Sequence, residues 1–143
     1  MPITLDDVCL NKAAIMERCL NRVFEEYQSD PMLLNWTHVD ALVLNLERAC
    51  QSAIDLAMHL VSREHLGLPQ NSFQAFELLL RARLIKSETA ASLASMVGFR
   101  NIAIHEYRSL DLNIVKSIVK NDWKTFVTFA QELGLRLEVR SVE

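Results

Sequence analysis

Glycine and proline are scarce in this chain of 143 residues, which contains only 3 of each. Both residue types mark turns, because glycine permits backbone angles that other residues avoid and proline fixes one of them. A protein built from many short strands needs many such turns. Since 50% of the residues are hydrophobic, the composition predicts a few long helices around a substantial core. The length favours one domain, residues 1–143.

The chain also lacks the marks of membrane and secreted proteins. No apolar run approaches the ~18 residues of a membrane span, and the first residues lack the basic and apolar regions of a secretory signal. The 3 cysteines, Cys9, Cys19 and Cys50, form no paired spacing. An odd, unpaired set argues against a disulfide framework. We therefore expect a cytoplasmic protein without membrane contacts, whose thiols lie in the core.

Acidic residues outnumber basic ones, which gives a net charge of −3. Such a charge is not typical of a nucleic-acid-binding protein. The charge is uneven, however. Residues 77–124 carry 8 Lys/Arg and 5 Asp/Glu, which makes that segment +3 and the remainder −6. This segment could hold a phosphate backbone. The alternative is that its charges are spread over solvated helix faces.

Apolar residues recur at helical spacing in five segments, which predicts an all-α, up-and-down bundle of about five helices. The first helix runs from Thr4 or Asp6 to about Tyr27, the second from Leu33 or Thr37 to His65, the third from Asn71 or Ser72 to before Ser87, the fourth from Ser87 onward, and the fifth from after Asp111 to Leu133. Gly134 is a good terminating residue. Residues 135–140 alternate apolar and charged side chains, which predicts a short extended arm at a subunit contact.

The densest group of chemically capable side chains lies at residues 100–107, Arg-Asn-Ile-Ala-Ile-His-Glu-Tyr, at the end of the fourth helix. Arg100 offers a planar fork of donors that suits phosphate. His105 can move protons near neutral pH. Tyr107 provides a hydroxyl, and Asn101 can add a neutral hydrogen bond to a phosphate or orient the histidine. These residue types together suggest phosphodiester chemistry on RNA.

On an ideal helix Arg100 and His105 would point about 140° apart, because they are five residues apart along the chain. They would share a face poorly unless the helix distorts between them. We therefore expect the helix to loosen near Ile104 and to turn His105 toward Arg100.

The motif Arg-x4-His-x-Tyr resembles the signature of HEPN-domain proteins, and its tyrosine resembles the HepT branch of that family. That branch supplies the toxins of HepT–MntA (type VII) toxin–antitoxin systems. The flanking Gly-Phe-Arg-Asn at 98–101 and Ser-Leu-Asp at 109–111 are similar to that branch, as are Ala-Ile-Asp-Leu-Ala-x-His at 53–59 and the total length. The resemblance covers essentially the whole chain.

The resemblance implies an all-α bundle that forms a homodimer and brings two Arg/His sets to one cleft. It implies a metal-independent endoribonuclease without a cofactor, with Arg100 and His105 catalytic and Asn101 in support. It also implies a partner, an MntA-like minimal nucleotidyltransferase antitoxin, which transfers AMP from ATP to Tyr107 and so silences the toxin.

The chemistry of the residues agrees with this reading. Metal-free RNA cleavage uses the 2′-OH as an internal nucleophile, and it needs a base, an acid and a cation for the developing charge. One motif supplies one histidine and one arginine, and a twofold dimer would supply two of each. AMP on Tyr107 would add negative charge and bulk two residues from His105.

Other interpretations stay open. Arg100 could form a buried pair with an Asp or Glu beside a hydrogen-bonded histidine, or the chain could be a non-catalytic helical partner that presents substrate or nucleotide to a nucleotidyltransferase. A purely structural dimerisation bundle is a third possibility. No convincing metal cluster is evident, because His59 and His65 would point in opposite directions on one helix. We expect His38, His59 and His65 to lie at the surface or at helix ends.

Overall fold

The computed structural model describes residues 3–141, which form helices and no strand. The α-helices are α1 (Asp7–Ser29), α2 (Trp36–Arg63), α3 (Ser72–Arg81), α4 (Ser87–His105), α5 (Leu112–Ser117) and α6 (Lys124–Glu132). A 3₁₀ turn covers Tyr107–Ser109, and a π turn covers Ile118–Asp122. The predicted all-α bundle is confirmed, and the first four predicted helices match α1 to α4 with small differences at their ends.

The predicted fifth helix is interrupted. The π turn separates α5 from α6, and the backbone N–H of Trp123 donates to the carbonyl of Ile118 at 2.9 Å, a five-residue step. Such a turn adds about one residue to the helical repeat and rotates the following side chains. Here the Trp123 ring packs edge-on against Phe24 of α1, with ring centroids 5.1 Å apart. Apolar periodicity alone did not reveal this break, because hydrophobic residues occur on both sides of it.

An antiparallel hairpin of α1 and α2 forms the scaffold. The second helix contains 28 residues, so it is about 42 Å long. The Ser52 hydroxyl donates to the carbonyl of Lys12 at 2.7 Å, and at the opposite end of the hairpin His38 Nδ1 lies 2.6 Å from Glu26 Oε2. This long pairing gives α2 a fixed position, and one of its faces supports the end of α4.

The buried side chains form one continuous hydrophobic cluster. Phe76 of α3 and Phe129 of α6 meet edge to face in it, with centroids 5.8 Å apart. Cys9, Cys19 and Cys50 are buried and free, as predicted. Within residues 3–141, no helix combines the length and the apolar character that a bilayer crossing requires.

The start of α4 is held by the side chain of the last residue of α6. The Glu132 carboxylate accepts from the backbone N–H of Lys86 at 3.1 Å and from the Thr89 hydroxyl at 2.9 Å. A carboxylate at a helix N-terminus satisfies free N–H groups and interacts favourably with the helix dipole. Because α4 carries the Arg-x4-His motif near its other end, this contact helps to fix the direction of the motif.

The segment at 135–140 packs against α1 and the core of its own chain. Gly134, with φ +86°, ends α6, and Leu135 and Leu137 are buried in the core. Asn21 of α1 donates to the carbonyl of Glu138 and accepts from the N–H of Arg140. The alternating pattern, which we interpreted as an arm at a subunit contact, is therefore explained by packing on α1.

One acidic side chain ties the start of α1 to the end of α2. Asp6 Oδ1 accepts from the N–H of Cys9 at 2.9 Å, and Oδ2 lies 2.7 Å from His59 Nε2 and 3.0 Å from Arg63 Nη1. The bond from Cys9 N–H, followed by that from His59, holds the pKa of Asp6 far below its usual range. His59 is thus a half-buried residue inside α2, and the expectation of a surface or helix-end histidine is wrong for it. His65, exposed just beyond α2, fits that expectation.

Replacing Asp6 with Asn should lower the melting temperature at neutral pH. Asparagine can still cap α1, but it removes the charge that faces His59 and Arg63. Because the folded-state pKa of Asp6 is lowered, its contribution is complete above the unfolded value of about 3.9 and is lost as the pH falls through the folded value. Thermal unfolding followed by circular dichroism should therefore give a lower melting temperature for D6N than for the native protein at pH 7. This difference in melting temperature should become smaller below about pH 4.

The matched control is Asp7→Asn, which removes the same charge from the exposed neighbouring position in the first turn of α1. It should change the melting temperature much less than D6N. Equal effects of the two variants would contradict a specific role for Asp6.

Candidate functional site

Arg100 and His105 lie at the C-terminal end of α4, which remains helical through His105. The expected loosening near Ile104 is wrong, because the N–H of Glu106 still donates to the carbonyl of Ile102 at 2.8 Å. The chain changes direction only after His105, where the 3₁₀ turn begins at Tyr107. Helical geometry therefore keeps Arg100 and His105 about 140° apart around the axis within one chain.

Two neutral amide oxygens hold the guanidinium of Arg100. One nitrogen donates to Gln51 Oε1 at 2.6 Å and the other to Asn101 Oδ1 at 3.0 Å. Within residues 3–141, no carboxylate lies within 4.0 Å of this side chain. The alternative of a buried Arg–Glu or Arg–Asp pair is therefore wrong. Since amides carry no net charge, Arg100 is oriented without being neutralised.

Gln51 is the centre of this arrangement. Its oxygen accepts from Arg100, and its amide nitrogen donates to Asp55 Oδ1 at 2.8 Å. Asp55 in turn pairs with Lys12 of α1 at 3.4 Å. The chain of contacts fixes which end of the Gln51 amide faces Arg100. The Nε of Arg100 is buried and has no partner among the described residues, although unpaired buried donors are costly.

Negatively charged side chains lie on the face of α2 that carries Gln51. Asp40, Glu47 and Gln51 lie within about 40° of one another around the helix. Burial raises the pKa of the half-buried Glu47, and the nearby cations Arg100 and Arg48 oppose that shift. One face of α2 therefore presents a neutral acceptor to Arg100 and carboxylates farther toward its N-terminus.

Tyr107 is tied to this face. Its hydroxyl donates to the Asp40 carboxylate, and its ring lies 6.5 Å from that of Trp36, tilted by 53°. Burial, followed by the hydrogen bond to Asp40, raises the pKa of Tyr107 strongly, and Glu47 adds to the shift. The phenol is thus held protonated and in place by α2.

His105 differs from its neighbours in the motif. It is exposed, and its side chain makes no hydrogen bond within the part of the chain that the structure describes. Asn101 contacts Arg100 and not His105, so its observed role is to orient the arginine. The structure thus links Arg100 and Asn101 directly and attaches Tyr107 to α2, while it leaves His105 open to solvent. The catalytic and modification roles of these residues remain predictions.

One group of side chains could in principle ligate a metal. The ligand atoms of Asp6, Cys9 and His59 lie within 4.8 Å of one another. However, Arg63 Nη1 is 3.0 Å from Asp6 Oδ2 and 3.8 Å from the Cys9 sulfur. The positive charge of Arg63 therefore already contacts two of the three candidate ligands. His59 is also eight residues from Gln51, about 12 Å along α2. We assign the cluster to the stability of the hairpin.

Sequence reasoning missed Asp40, Glu47 and Gln51. A signal for them did exist: these three polar residues lie within about 40° of one another around α2. The sequence did not show which helix packs against this polar face of α2. Only the crossing of α4 over α2 shows that this polar stripe faces Arg100 and Tyr107.

Comparisons with known proteins give consistent similarities. Residues 11–133 match the family model described as ribonuclease HepT-like. The chain is 36% identical over 126 residues to the mRNA nuclease HepT of Shewanella oneidensis, a match that covers 87% of this chain and 95% of that protein. It is 34% identical over 70 residues to the tRNA nuclease HepT of Aphanizomenon flos-aquae, which covers 49% of this chain and 48% of the relative.

Solved structures show the same fold. The tri-AMPylated Shewanella oneidensis HEPN toxin in complex with its MNT antitoxin superimposes with a TM-score of 0.86 at 35% identity, covering 91% of this chain and 98% of the toxin. A toxin–antitoxin structure with AMP-PNP gives a TM-score of 0.86 at 35% identity and covers 90% of this chain and 99% of that one.

The contact between Tyr107 and Asp40 can be tested by titration. Asp40→Asn should lower the pKa of Tyr107, because it removes the negative charge that favours the protonated phenol. The value should stay above the ordinary one of about 10, because burial remains. The ¹³Cζ resonance of labelled tyrosine, assigned with Tyr107→Phe, reports the ionisation.

Glu106→Gln is the matched control. It removes an exposed carboxylate adjacent to Tyr107 in sequence that makes no contact with the phenol. An equal shift in D40N and E106Q would show that general charge, and not the hydrogen bond, sets the pKa.

Proposed function

The chain belongs to the ribonuclease HepT-like family, and from this premise we propose that it is the toxin of a toxin–antitoxin pair. Its activity is endoribonucleolytic cleavage of RNA without a metal ion. Arg100 and His105 carry the chemistry, Asn101 supports Arg100, and AMPylation of Tyr107 by a nucleotidyltransferase antitoxin silences the protein.

One observation supports this function above the others. Arg100 is fixed by Gln51 and Asn101 through neutral oxygens at 2.6 and 3.0 Å and makes no ion pair among the described residues, and an exposed histidine follows on the same helix. A structural arginine is usually paired with a carboxylate. An oriented but unneutralised guanidinium is suited to binding a phosphate through its planar fork of donors.

The reaction follows from these groups. The 2′-oxygen of the ribose attacks the adjacent phosphorus while a base removes its proton. The bond from phosphorus to the 5′-oxygen then breaks, and an acid protonates the leaving oxygen. Arg100 stabilises the negative charge that develops on the phosphoryl oxygens. His105 exchanges the protons, and its exposed position lets a ribose or a leaving oxygen approach it.

A homodimer explains how two proton-transfer groups are supplied. One motif provides one histidine, whereas cleavage needs both a base and an acid. The 140° separation of Arg100 and His105 around α4 also makes it difficult for a single chain to direct both at one phosphate. Two chains related by a twofold axis would offer both histidines and both arginines to one cleft.

Modification of Tyr107 would act on the same site. The phenolic oxygen attacks the α-phosphorus of ATP, the bond to the β-phosphate oxygen breaks, pyrophosphate leaves and the phenol loses its proton. The product can no longer donate to Asp40, and it places a negative phosphodiester beside Asp40 and near Glu47. Repulsion would release Tyr107 from α2, and the added nucleotide would obstruct RNA.

The remaining assignments follow from this function. A cytoplasmic location fits a protein whose substrate is RNA and whose partner uses ATP. The single hydrophobic cluster of the described residues supports one domain over residues 1–143.

Substituting His105 with Ala should abolish cleavage. Removing a general acid or base typically costs about 100- to 10,000-fold in rate, and Arg100→Gln should lose a similar amount because the oxyanion charge is then unopposed. The assay is cleavage of total cellular RNA in EDTA by unmodified protein. His65→Ala, at an exposed histidine beyond α2, is the control and should retain activity.

Persistent cleavage by H105A would contradict the assigned role of His105. If the native protein does not cleave either, the alternative gains support, in which the chain is a non-catalytic binding partner of a nucleotidyltransferase.

Tyr107→Phe should prevent AMPylation and preserve toxicity. Incubation with the antitoxin and ATP should add AMP groups to the native chain, as seen by mass spectrometry, and the modified protein should no longer cleave RNA. Tyr27→Phe, which changes the other of the 2 tyrosines, should still be modified. Labelling of Y107F at a different residue would refute this assignment.

A further inference from the structure

A groove between α1 and α2 has a basic lining that the motif does not explain. Its volume is about 580 Å³, and the cations Lys12, Arg18, Arg22 and Arg48 line it, whereas Asp55 is the single acidic residue among those that line it. The cations come from both helices, so the charge extends along the groove and not over one helix face alone.

Two of these cations, Arg18 and Arg48, form no ion pair within the part of the chain that the structure describes. Arg22 pairs with Glu25 and Glu26, and Lys12 pairs with Asp55. For Arg18 and Arg48, no acidic side chain of residues 3–141 lies within 4.0 Å, and neither guanidinium makes a side-chain hydrogen bond there.

Both unpaired arginines face the same part of the groove. Cys19 lines it between them, and while burial raises the pKa of this thiol, Arg18 and Arg48 both act to lower it. Two like charges near one buried group repel each other. An anion in the groove would remove that repulsion, and arginine can bind phosphate oxygens with two donors at once.

The groove leads to the proposed catalytic arginine. Gln51 contributes to its lining and also accepts the 2.6 Å hydrogen bond from Arg100. The same side chain therefore borders the groove on one side and orients Arg100 on the other. A polyanion bound along α1 and α2 would therefore lie next to the side chain that orients Arg100.

We propose that this groove binds the sugar–phosphate backbone of RNA next to the bond that is cleaved, and that Arg18 and Arg48 each contact a phosphate. The inference rests on the proposed ribonuclease function, and it places the substrate path on α1 and α2. The basic segment 77–124 that composition singled out contributes none of the groove cations.

The test measures RNA binding without cleavage. The probe is a mixed-sequence 2′-O-methyl oligonucleotide, which lacks the attacking hydroxyl, and its affinity for unmodified protein is measured by fluorescence anisotropy over a range of salt concentrations. In the double variant R18Q/R48Q the affinity should fall. The slope of log K against log salt should become shallower by about 1.4, since each phosphate contact to a single strand contributes about 0.7.

The matched control is R81Q/R83Q, which removes two exposed arginines of α3 and its following turn, away from the groove lining. It should change neither affinity nor slope appreciably. Unchanged binding by R18Q/R48Q would overturn the proposal, and so would equal losses in the two double variants. A change in oligomeric mass of R18Q/R48Q by light scattering would also overturn it, because the groove would then be a contact between two chains.

Failure of this inference can be distinguished from failure of the proposed function. If native protein cleaves RNA in EDTA but R18Q/R48Q binds the probe normally, only the groove assignment is wrong. If R18Q/R48Q alone loses binding but native protein cleaves nothing, the groove is a nucleic-acid site and the ribonuclease assignment is wrong.

Discussion

The hydrogen bond from Arg100 to Gln51 is the contact on which the site depends. It joins α4, which carries the motif, to α2, the longest helix of the scaffold. Its acceptor is a neutral amide oxygen, and this affects how Arg100 could bind a phosphate. A carboxylate at the same place would hold the arginine more strongly but would compete with a phosphate for the same positive charge. An amide fixes direction and leaves the charge available.

The position of α2 in turn depends on the hairpin with α1. Contacts at Asp6, Ser52 and Glu26 are distributed along the pair, so α2 cannot rotate without breaking several of them. The helix thereby presents one polar face, with Asp40, Glu47 and Gln51 in line. Arg100 and Tyr107 contact the two ends of that face, so the proposed modification of Tyr107 would act on the same helix that orients Arg100.

Charge separates along this face. Asp40 and Glu47 lie near the tyrosine, whereas the amide of Gln51 holds Arg100 and also borders the groove that Arg18 and Arg48 line. RNA would be repelled from the first region and attracted to the second. An AMP group on Tyr107 would bring a phosphodiester into the acidic region, where it is least stable, and would favour its movement away from α2.

Much of this could be predicted from residues alone. The helical spacing of apolar side chains located α1 to α4 within a few residues, and the pattern Arg-x4-His-x-Tyr identified the family. The details that failed were those in which two segments meet. The π turn near Trp123 depends on packing against Phe24. The sequence pattern predicts His59 at the surface or at a helix end, because its partner Asp6 is 53 residues away. The predicted arm at 135–140 packs on its own α1, where Leu135 and Leu137 are buried, and a subunit contact there stays a prediction.

The sequence by itself determined the first four helices, the bundle and the chemical capacity of Arg100, His105 and Tyr107, because periodicity and side-chain chemistry are local properties. Only the tertiary structure decided that Arg100 meets an amide and not a carboxylate, that Tyr107 is bound to Asp40, and that Arg18 and Arg48 face one groove. Those facts depend on which face of one helix lies against another, and residues far apart in the chain set that orientation together through packing.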